Sequence, residues 1–542
     1  MISKKIKTKI FLFGCVIVLG IVFQLLFSRN IGNTSSDLQM VCEVPVFLFN
    51  NDSDQNTGEP DHSDQVINGP NDLLDLTPII IRQEPGLSLS GKCCVSISEP
   101  ARKYVQLFYK SGENYVYIEN KEKQELPINL LRDADLELRI EANSYACTDW
   151  DGTVTVTALV EDSGKTFNGS VHLKVAPFIL LSAVQKALKI YVRDFPGKNE
   201  KLIKALKELT PKIGVELKII GTDYYDAWNI WLQDVMEVGY SRTPSRVLHV
   251  VLNANRGKSL DAMPKQVILG PDHGWFKWGE FIRETGAGRG RDSWLDWYGN
   301  LEVTPPLPGK PFGRILYGYN QNTGHSLNPQ IVKMLEAQGV QTPLIKIHTG
   351  WLVIKHVDEI FNFIPAKQGK GFKILVPDVN VTYRLLEQWQ AEGKGELTLF
   401  RDFMENVSVS SLIKNQSLRE FNTRLQVNEI EADIKTIKQE TGVPDDHIIR
   451  IPALFEKRRE YASAMMPNMV NSAYMNGHIL IADPKGPVFA GEDLIQKYVR
   501  QLLSKENVIV HFIDDLPYHK WGGNVHCATN VTYQPYEMAW WK

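Results

Sequence analysis

Cysteine is scarce in this chain. Six occur in 542 residues, at Cys15, Cys42, Cys93, Cys94, Cys147 and Cys527. That usage excludes a disulfide-built scaffold. An excess of charge is also missing: Lys+Arg number 60 and Asp+Glu 63, a balance that speaks against a dedicated nucleic-acid binder. There is no phosphate loop. The run GAGRGR beginning at Gly286 has neither the strand-then-helix setting of a dinucleotide fingerprint nor a following Lys-Ser/Thr, and it reads as a surface loop. A zinc centre is poorly supported, because the one close His–Asp pair in an apolar setting falls short of the three protein ligands zinc usually takes.

Long apolar runs are missing too, except at the start. Lys4, Lys5, Lys7 and Lys9 precede a run from Ile10 to Phe27 broken only by Gln24. This length is near the lower limit for a spanning helix. No small-x-small cleavage site follows it, so residues 1–30 are predicted to form a retained signal anchor. The lysines then stay cytoplasmic, and the rest of the chain lies on the non-cytoplasmic side: periplasmic, lumenal or extracellular, and secreted if the segment is cleaved. Membrane contact through this segment is part of that expectation.

What remains divides by texture. Residues 31–70 are rich in Asn, Asp, Ser, Gly and Pro and read as a flexible, acidic and polar spacer. Over residues 71–178, short runs such as KCCVSIS, NYVYIE and TVTVTALVE alternate polar and apolar positions, the period of antiparallel strands with one buried face. An immunoglobulin-like β-sandwich is expected there. From residue 179 to 542 helix-like and strand-like runs alternate, which predicts one large α/β domain.

Three constellations in that domain stand out chemically. In WLQDVMEVGY, Gln233, Asp234 and Glu237 interrupt an apolar run, and buried carboxylates must find cations or donors. In WLVIKHVDEIFNFIP, an extended strand puts His356 and Asp358 on one face. In YHKWGGNVHCATN, Cys527 follows two glycines that permit a tight turn or a close backbone approach, the placement of a positioned nucleophile rather than a passive core thiol.

These segments, in this order, resemble the protein-arginine deiminases of the guanidine-modifying superfamily. The stretches that carry the resemblance are WLQDVMEVGY (231–240), NRG (255–257), GPDHG (270–274), YGNLEVTPP (298–306), GRILYGY (313–319), HVDEIFNFIP (356–365), PNMVN (467–471) and NVHCATNV (524–531). Each alone is weak; the ordered set is specific. The resemblance implies a propeller-like α/β catalytic domain of the guanidine-modifying type. It implies hydrolysis of protein-bound arginine to citrulline, with ammonia released through a covalent thiouronium on Cys527. His356 matches the general acid/base, Asp234 and Asp358 the carboxylates that hold the guanidinium, Trp231 the wall beside the arginine stem, and Arg256 the group that engages the substrate backbone. The chemistry agrees. Guanidinium is planar, cationic and rich in N–H donors, so two carboxylates can grip it.

The resemblance also implies calcium. Gln233, Glu237 and Glu302, with the backbone oxygens of Tyr298 and Leu301, match one site, and Asp272 matches a ligand of another; oxygen donors suit this ion. Departures are present. Val235 replaces a glutamate, and Asn253 and Ala254 replace acidic and Ser-Pro-Arg sequence, so fewer ions are expected. Trp521 and Gly522 stand for an Arg-His pair and Asn524 for a glutamate, which leaves open the sequence preference around the target arginine. The runner-up is a deiminase of free arginine or another small guanidine. An amidinotransferase would need a second amine site, and a purely binding protein would not need all four groups of the reaction.

Overall fold

Strands form over residues 77–175 because β-branched and aromatic residues recur at every second position and can share one buried face. The segment Thr153–Asp162 shows the pattern plainly: Val154, Val156, Ala158 and Val160 are buried and the residues between them are not. In the computed structural model, which describes residues 38–542 apart from 120–121, 224–228, 281–289, 368–370 and 406, ten such strands build two five-stranded sheets. They are β1 (Met40–Val41), β2 (Val46–Phe47), β3 (Thr77–Ile81), β4 (Lys92–Ile97), β5 (Val105–Ser111), β6 (Asn114–Ile118), β7 (Gln124–Leu126), β8 (Leu136–Ala142), β9 (Thr153–Asp162) and β10 (Lys165–Val175). One sheet runs β1-β3-β8-β5-β6 and the other β2-β10-β9-β4-β7. Every pairing is antiparallel except β2 with β10. Ile79, Leu107, Leu138 and Ile140 of the first sheet and Cys93, Val95, Val156 and Val160 of the second share one core. Each such side chain contributes about 1.5–3 kcal/mol by leaving water.

Part of the expected spacer belongs to this unit. β1 and β2 pair with its sheets. Asn50, Asn51, Asp52 and Ser53 are fully buried, and Trp275 N donates to the Asn51 carbonyl. A hydrophilic sequence here is a packed, polar segment.

Beyond residue 178 the chain is α/β. Five small sheets comprise Ile179–Leu180 with Met236–Arg242, Val247–Asn253 and His273–Lys277; Glu216–Ile220 with Ala187–Arg193 and Thr529–Tyr533; Leu301–Val303 with Ile315–Tyr319 and Ile345–His348; Asn362–Pro365 with Phe372–Asp378 and Ile448–Pro452; and Ala473–Met475 with His478–Ala482 and Ile509–Ile513. Each combines antiparallel and parallel ladders. Amphipathic helices such as Glu200–Ile213 and Leu494–Leu503 bury one stripe on them. The propeller-like closure expected for this region is corrected by the ladders themselves. They stop at the edges of separate sheets, and no pairing among the described residues joins one sheet to the next in a ring.

The membrane expectation is corrected as well. The predicted anchor over residues 1–30 lies outside the described residues, as does most of the GAGRGR loop. Among the described residues no helix is long and apolar enough to cross a membrane. The helix Glu200–Ile213 has 14 residues, and at about 1.5 Å per residue it falls short of a hydrocarbon layer of about 30 Å. The helical run through Gln416–Leu425, Gln426–Ile430 and Glu431–Thr441 is charged along its length. The anchor, the membrane as a partner and the non-cytoplasmic placement that depended on it therefore have no support in the structure.

Candidate active site

Cys527 sits on a four-residue helix, Val525–Ala528, that opens directly into the strand Thr529–Tyr533. The strand pairs with Ala187–Arg193 and anchors the helix from one side. The two glycines before it act as the sequence suggests. Gly522 has φ 98°. A side chain at Gly523 would fall 2.5 Å from the Trp231 ring and 3.0 Å from Cys527 Cβ, so only glycine lets these two approach. Trp231 thus lines the approach to the thiol, tilted against Tyr518 at 5.6 Å.

The thiol is held by neighbours from two other segments. Asn471 Nδ2 donates to Cys527 Sγ (3.1 Å), Asn471 Oδ1 accepts from Cys527 N (3.2 Å), and the Sγ–H faces Asp358 Oδ2 at 3.4 Å. Burial, then the charges of Asp358 and Asp234, push the thiol well above its usual range. In the resting site Cys527 is a protonated thiol, and a positive charge placed between those carboxylates would lower its pKa.

His356 and Asp358 do not lie in the extended strand expected of them. Lys355 has φ 71°, and Val357–Glu359 form a single 3-10 turn. The turn still delivers both side chains to one place. His356 Nε2 must donate to the Trp294 carbonyl (2.9 Å), since a carbonyl only accepts, which leaves Nδ1 facing Asp234 Oδ1 at 3.6 Å. Asp234 arrives from the turn ahead of the strand Met236–Arg242. Burial raises its carboxyl pKa, and His356 and Arg256 pull it partly back.

Gly299 marks the centre of this arrangement. A Cβ there would lie 2.5 Å from His356 Nδ1, 3.0 Å from Asp234 Oδ1 and 3.3 Å from Asp358 Oδ2. Three buried atoms in the cluster, Asp234 Oδ1, Asp358 Oδ1 and His356 Nδ1, have no hydrogen-bond partner. Two are carboxylate oxygens, which only accept, and the third is the His356 ring nitrogen that faces Asp234. Such a set wants a donor-rich cation.

Arg256 is placed differently from its expected role. Its side chain is 1% exposed. Nε donates to Asp261 Oδ1 (2.9 Å), Nη2 donates to Asn229 Oδ1 (2.6 Å), and Nη1 lies 3.9 Å from Asp234 Oδ2. The guanidinium also lies 5.4 Å from the centre of the Trp297 ring. It is wired to Asp234 from behind.

Comparison with known proteins gives this geometry a lineage. The family model described as Protein-arginine deiminase (PAD) matches residues 165–542. Human protein-arginine deiminase type-3 is 31% identical over 524 residues, covering 92% of this chain and 77% of that protein. Human type-4 is 33% identical over 425 residues, covering 75% and 62%. Human type-1 is 29% identical over 521 residues, covering 92% and 77%. The chain belongs to the protein-arginine deiminase family. It is an enzyme of the guanidine-modifying superfamily, a hydrolase acting on amidine C–N bonds.

With the family stated, the oxygen donors can be placed. Gln233 Nε2 donates to Glu237 Oε2 (2.9 Å) and lies 3.4 Å from the Tyr298 carbonyl, while Asn530 Nδ2 donates to Gln233 Oε1. Leu301 and Glu302 follow on the next strand. Burial, then proximity to Glu302, raises Glu237 well above its usual range, and burial brings Glu302 to about 7. His526, to which the sequence reading gave no role, joins this group to the thiol site: Nδ1 lies 2.9 Å from Asp358 Oδ2 and Nε2 3.5 Å from Glu302 Oε1.

Asp272 is elsewhere. It pairs with Arg246 (2.9 Å), and its backbone N donates to Asp52 Oδ2. It borders a second acidic cluster that the sequence reading missed. Oxygens of Asp52, Asp54 and Asp75 lie within 4.8 Å of one another, so this buried triad could coordinate a cation. Burial and mutual repulsion raise Asp52 to about 9; burial raises Asp61 and Asp75 to about 7. The signal was present in NNDSDQ and in the aspartates up to Asp75, but polar composition there was read as flexibility.

Proposed function

We propose that this enzyme hydrolyses protein-bound arginine to citrulline and ammonia through a covalent intermediate on Cys527. The observation that carries this reading is the set of three unpartnered atoms, Asp234 Oδ1, Asp358 Oδ1 and His356 Nδ1, grouped beside the Cys527 thiol. A guanidinium supplies the N–H donors and the positive charge that this set lacks. Its charge then lowers the thiol pKa from the raised value that burial and the two carboxylates impose. Sγ adds to the central carbon as its proton passes to His356. His356 returns a proton to one nitrogen, and the C–N bond breaks with release of ammonia. Water then adds to the S-alkylthiouronium, His356 takes its proton, and the C–S bond breaks to leave citrulline and the thiol.

Calcium is part of the proposal. Asp52, Asp54 and Asp75 offer only oxygens, and Asp52 Oδ1 and Asp54 Oδ2 are buried without partners, a fit to a hard cation. Gln233, Glu237 and Glu302, with the carbonyls of Tyr298 and Leu301, are the proposed donors nearer the thiol. Bound calcium supplies positive charge that offsets the clustered carboxylates. Gln233 and Glu237 flank Asp234 in sequence, so fixing them fixes the turn that presents Asp234. Deimination of free arginine is the alternative substrate reading.

The test is citrulline and ammonia formation from a blocked arginine peptide, with calcium and with chelator. Turnover that requires calcium supports the proposal in full. Equal turnover in excess chelator removes the calcium part, and turnover of free arginine without peptide turnover removes the protein substrate.

A further inference from the structure

A cavity of about 310 Å³ lies beside the catalytic groups. Asn471, Gly523 and Asn524 are among the residues that line it. Asn471 is the donor to Cys527 Sγ, and Gly523 is the residue that abuts Cys527 Cβ. Two of the cavity's lining residues are thus in direct contact with Cys527. Trp294, Trp521, Arg458 and Arg459 also line it.

Arg458 ends the strand Phe455–Arg458, and Arg459, held at φ 58°, opens the turn that leads to the strand Tyr461–Ala464. Both are exposed. Arg458 Nε donates to Glu456 (2.7 Å), which does not line the cavity, and no ion pair is found for Arg459 among the described residues. The other titratable groups on the wall are uncharged at neutral pH. Burial, then Asp358, raises Glu359 to about 8, and burial lowers His519 to about 4. The wall thus presents two cations beside a site whose reacting group is itself a cation.

That arrangement is costly for a bare cationic substrate. Like charges at the mouth repel, modestly where the groups are exposed, whereas an anion near the target arginine converts the same groups into attraction. We propose that this cavity is a subsite for a carboxylate carried by the substrate next to its target arginine, selected by Arg459 with help from Arg458. The proposal rests on the deiminase reading given above and adds a substrate class to it. The carboxylate has two chemical sources, an acidic side chain adjacent to the arginine or the main-chain carboxylate of a C-terminal arginine.

The experiment measures kcat/KM for citrulline formation by the full enzyme. Blocked peptides differ only in the residue after arginine, Asp, Asn or Lys, and a second pair compares C-terminal arginine as free acid and as amide. The expected result is a preference of about fivefold for Asp over Asn, or for acid over amide, the size of one exposed ion pair. The preference resides in KM and shrinks as salt is raised. In an Arg458→Gln, Arg459→Gln double variant the ratio falls to near one, and in Arg459→Glu the Lys peptide overtakes the Asp peptide. Whichever pair shows the preference identifies the source. Equal rates for Asp and Asn and for acid and amide in the native enzyme overturn the proposal, as does a preference that survives the double variant. If peptides are inert while free arginine is turned over, the protein-substrate reading fails separately, and arginine against its methyl ester then decides the subsite by the same ratio. No turnover of any guanidine overturns both.

Discussion

Two clusters of buried carboxylates sit in this molecule, and they solve the same problem in different ways. Around Asp52, Asp54 and Asp75 the acids face one another, with Arg246 the cation paired to Asp75. Around Asp234 and Asp358 the acids are interleaved with His356, His526 and Arg256. Burying a carboxylate without compensation costs several kcal/mol. The first cluster must borrow charge from solvent and can keep it, so it suits a resident ion. The second is already half compensated and is short by one planar cation, so it suits a substrate that enters and leaves as a neutral product.

The largest effect that would break this comparison is chemical. Cys527→Ala is expected to reduce kcat/KM by at least about 10³-fold, the scale for loss of a covalent nucleophile, while leaving the folded state intact by circular dichroism. Retained turnover would mean that the thiol is not the reacting atom. Asp358→Asn is next, with about 10²-fold lost from kcat/KM, because a charged partner of the developing transition state is removed. Its melting temperature should hold or rise, since the change also removes an imperfectly paired buried charge. A large fall in melting temperature with unchanged kinetics would place Asp358 in the structural class of the first cluster.

Chelation sharpens the contrast from the other side. Calcium at about 100 times its dissociation constant stabilises the folded state by about 2.7 kcal/mol, about 2–3 °C of melting temperature for a chain of this length. Asp75→Asn should shrink that calcium-dependent shift markedly, whereas Asp358→Asn should not. The smallest effect is the pH dependence of the chelated protein. Asp52, Asp61 and Asp75 have folded values raised to about 9, 7 and 7, above the unfolded value of about 3.9. The folded chain then binds more protons than the unfolded one, so the stability these groups contribute is greatest below about pH 4 and is lost as pH rises through 7 towards 9. Melting temperatures at pH 5 and pH 8.5 should fall with pH in chelator and fall less in calcium. A rise with pH in chelator would contradict the shifts.

The fold was legible where periodicity is strong. The alternation in TVTVTALVE became β9, because a half-buried strand leaves a two-residue signature. It was not legible in NNDSDQ, where buried polar side chains and disordered ones have the same composition. Only the backbone pairing of β1 and β2 and the neighbouring acids separate the two cases. In the site, Cys527, His356, Asp234 and Asp358 could be named from motifs, and the structure brings all four together. The route was misjudged for His356 and Asp358: His356 is the extended N-cap of a 3-10 turn and Asp358 lies inside it, so the tertiary fold rather than a strand period brings the two side chains together. Arg256 has the right neighbours but faces inward. Asn471, Gly299 and His526 lie within stretches that carry the resemblance, but no role was assigned to them, because an asparagine, a glycine and a histidine acquire meaning only from what stands next to them in space. The ring of ladders and the membrane anchor were expectations from resemblance and hydropathy, and the described structure supports neither.

The burial of the thiol has a kinetic consequence. Cys527 is 4% exposed, and the cavity beside it is lined by Asn471 and Gly523 rather than by Cys527 itself. A thiol this little exposed reacts only as far as its neighbours let a reagent in. If only a fraction of molecules is open at any moment, the apparent dissociation constant for any arginine substrate is the intrinsic one divided by that fraction. A small alkylating reagent, which makes none of the guanidinium's contacts, would report the same fraction directly through its rate of labelling. The ratio of that rate to labelling of the unfolded chain would be a clock for opening, independent of catalysis.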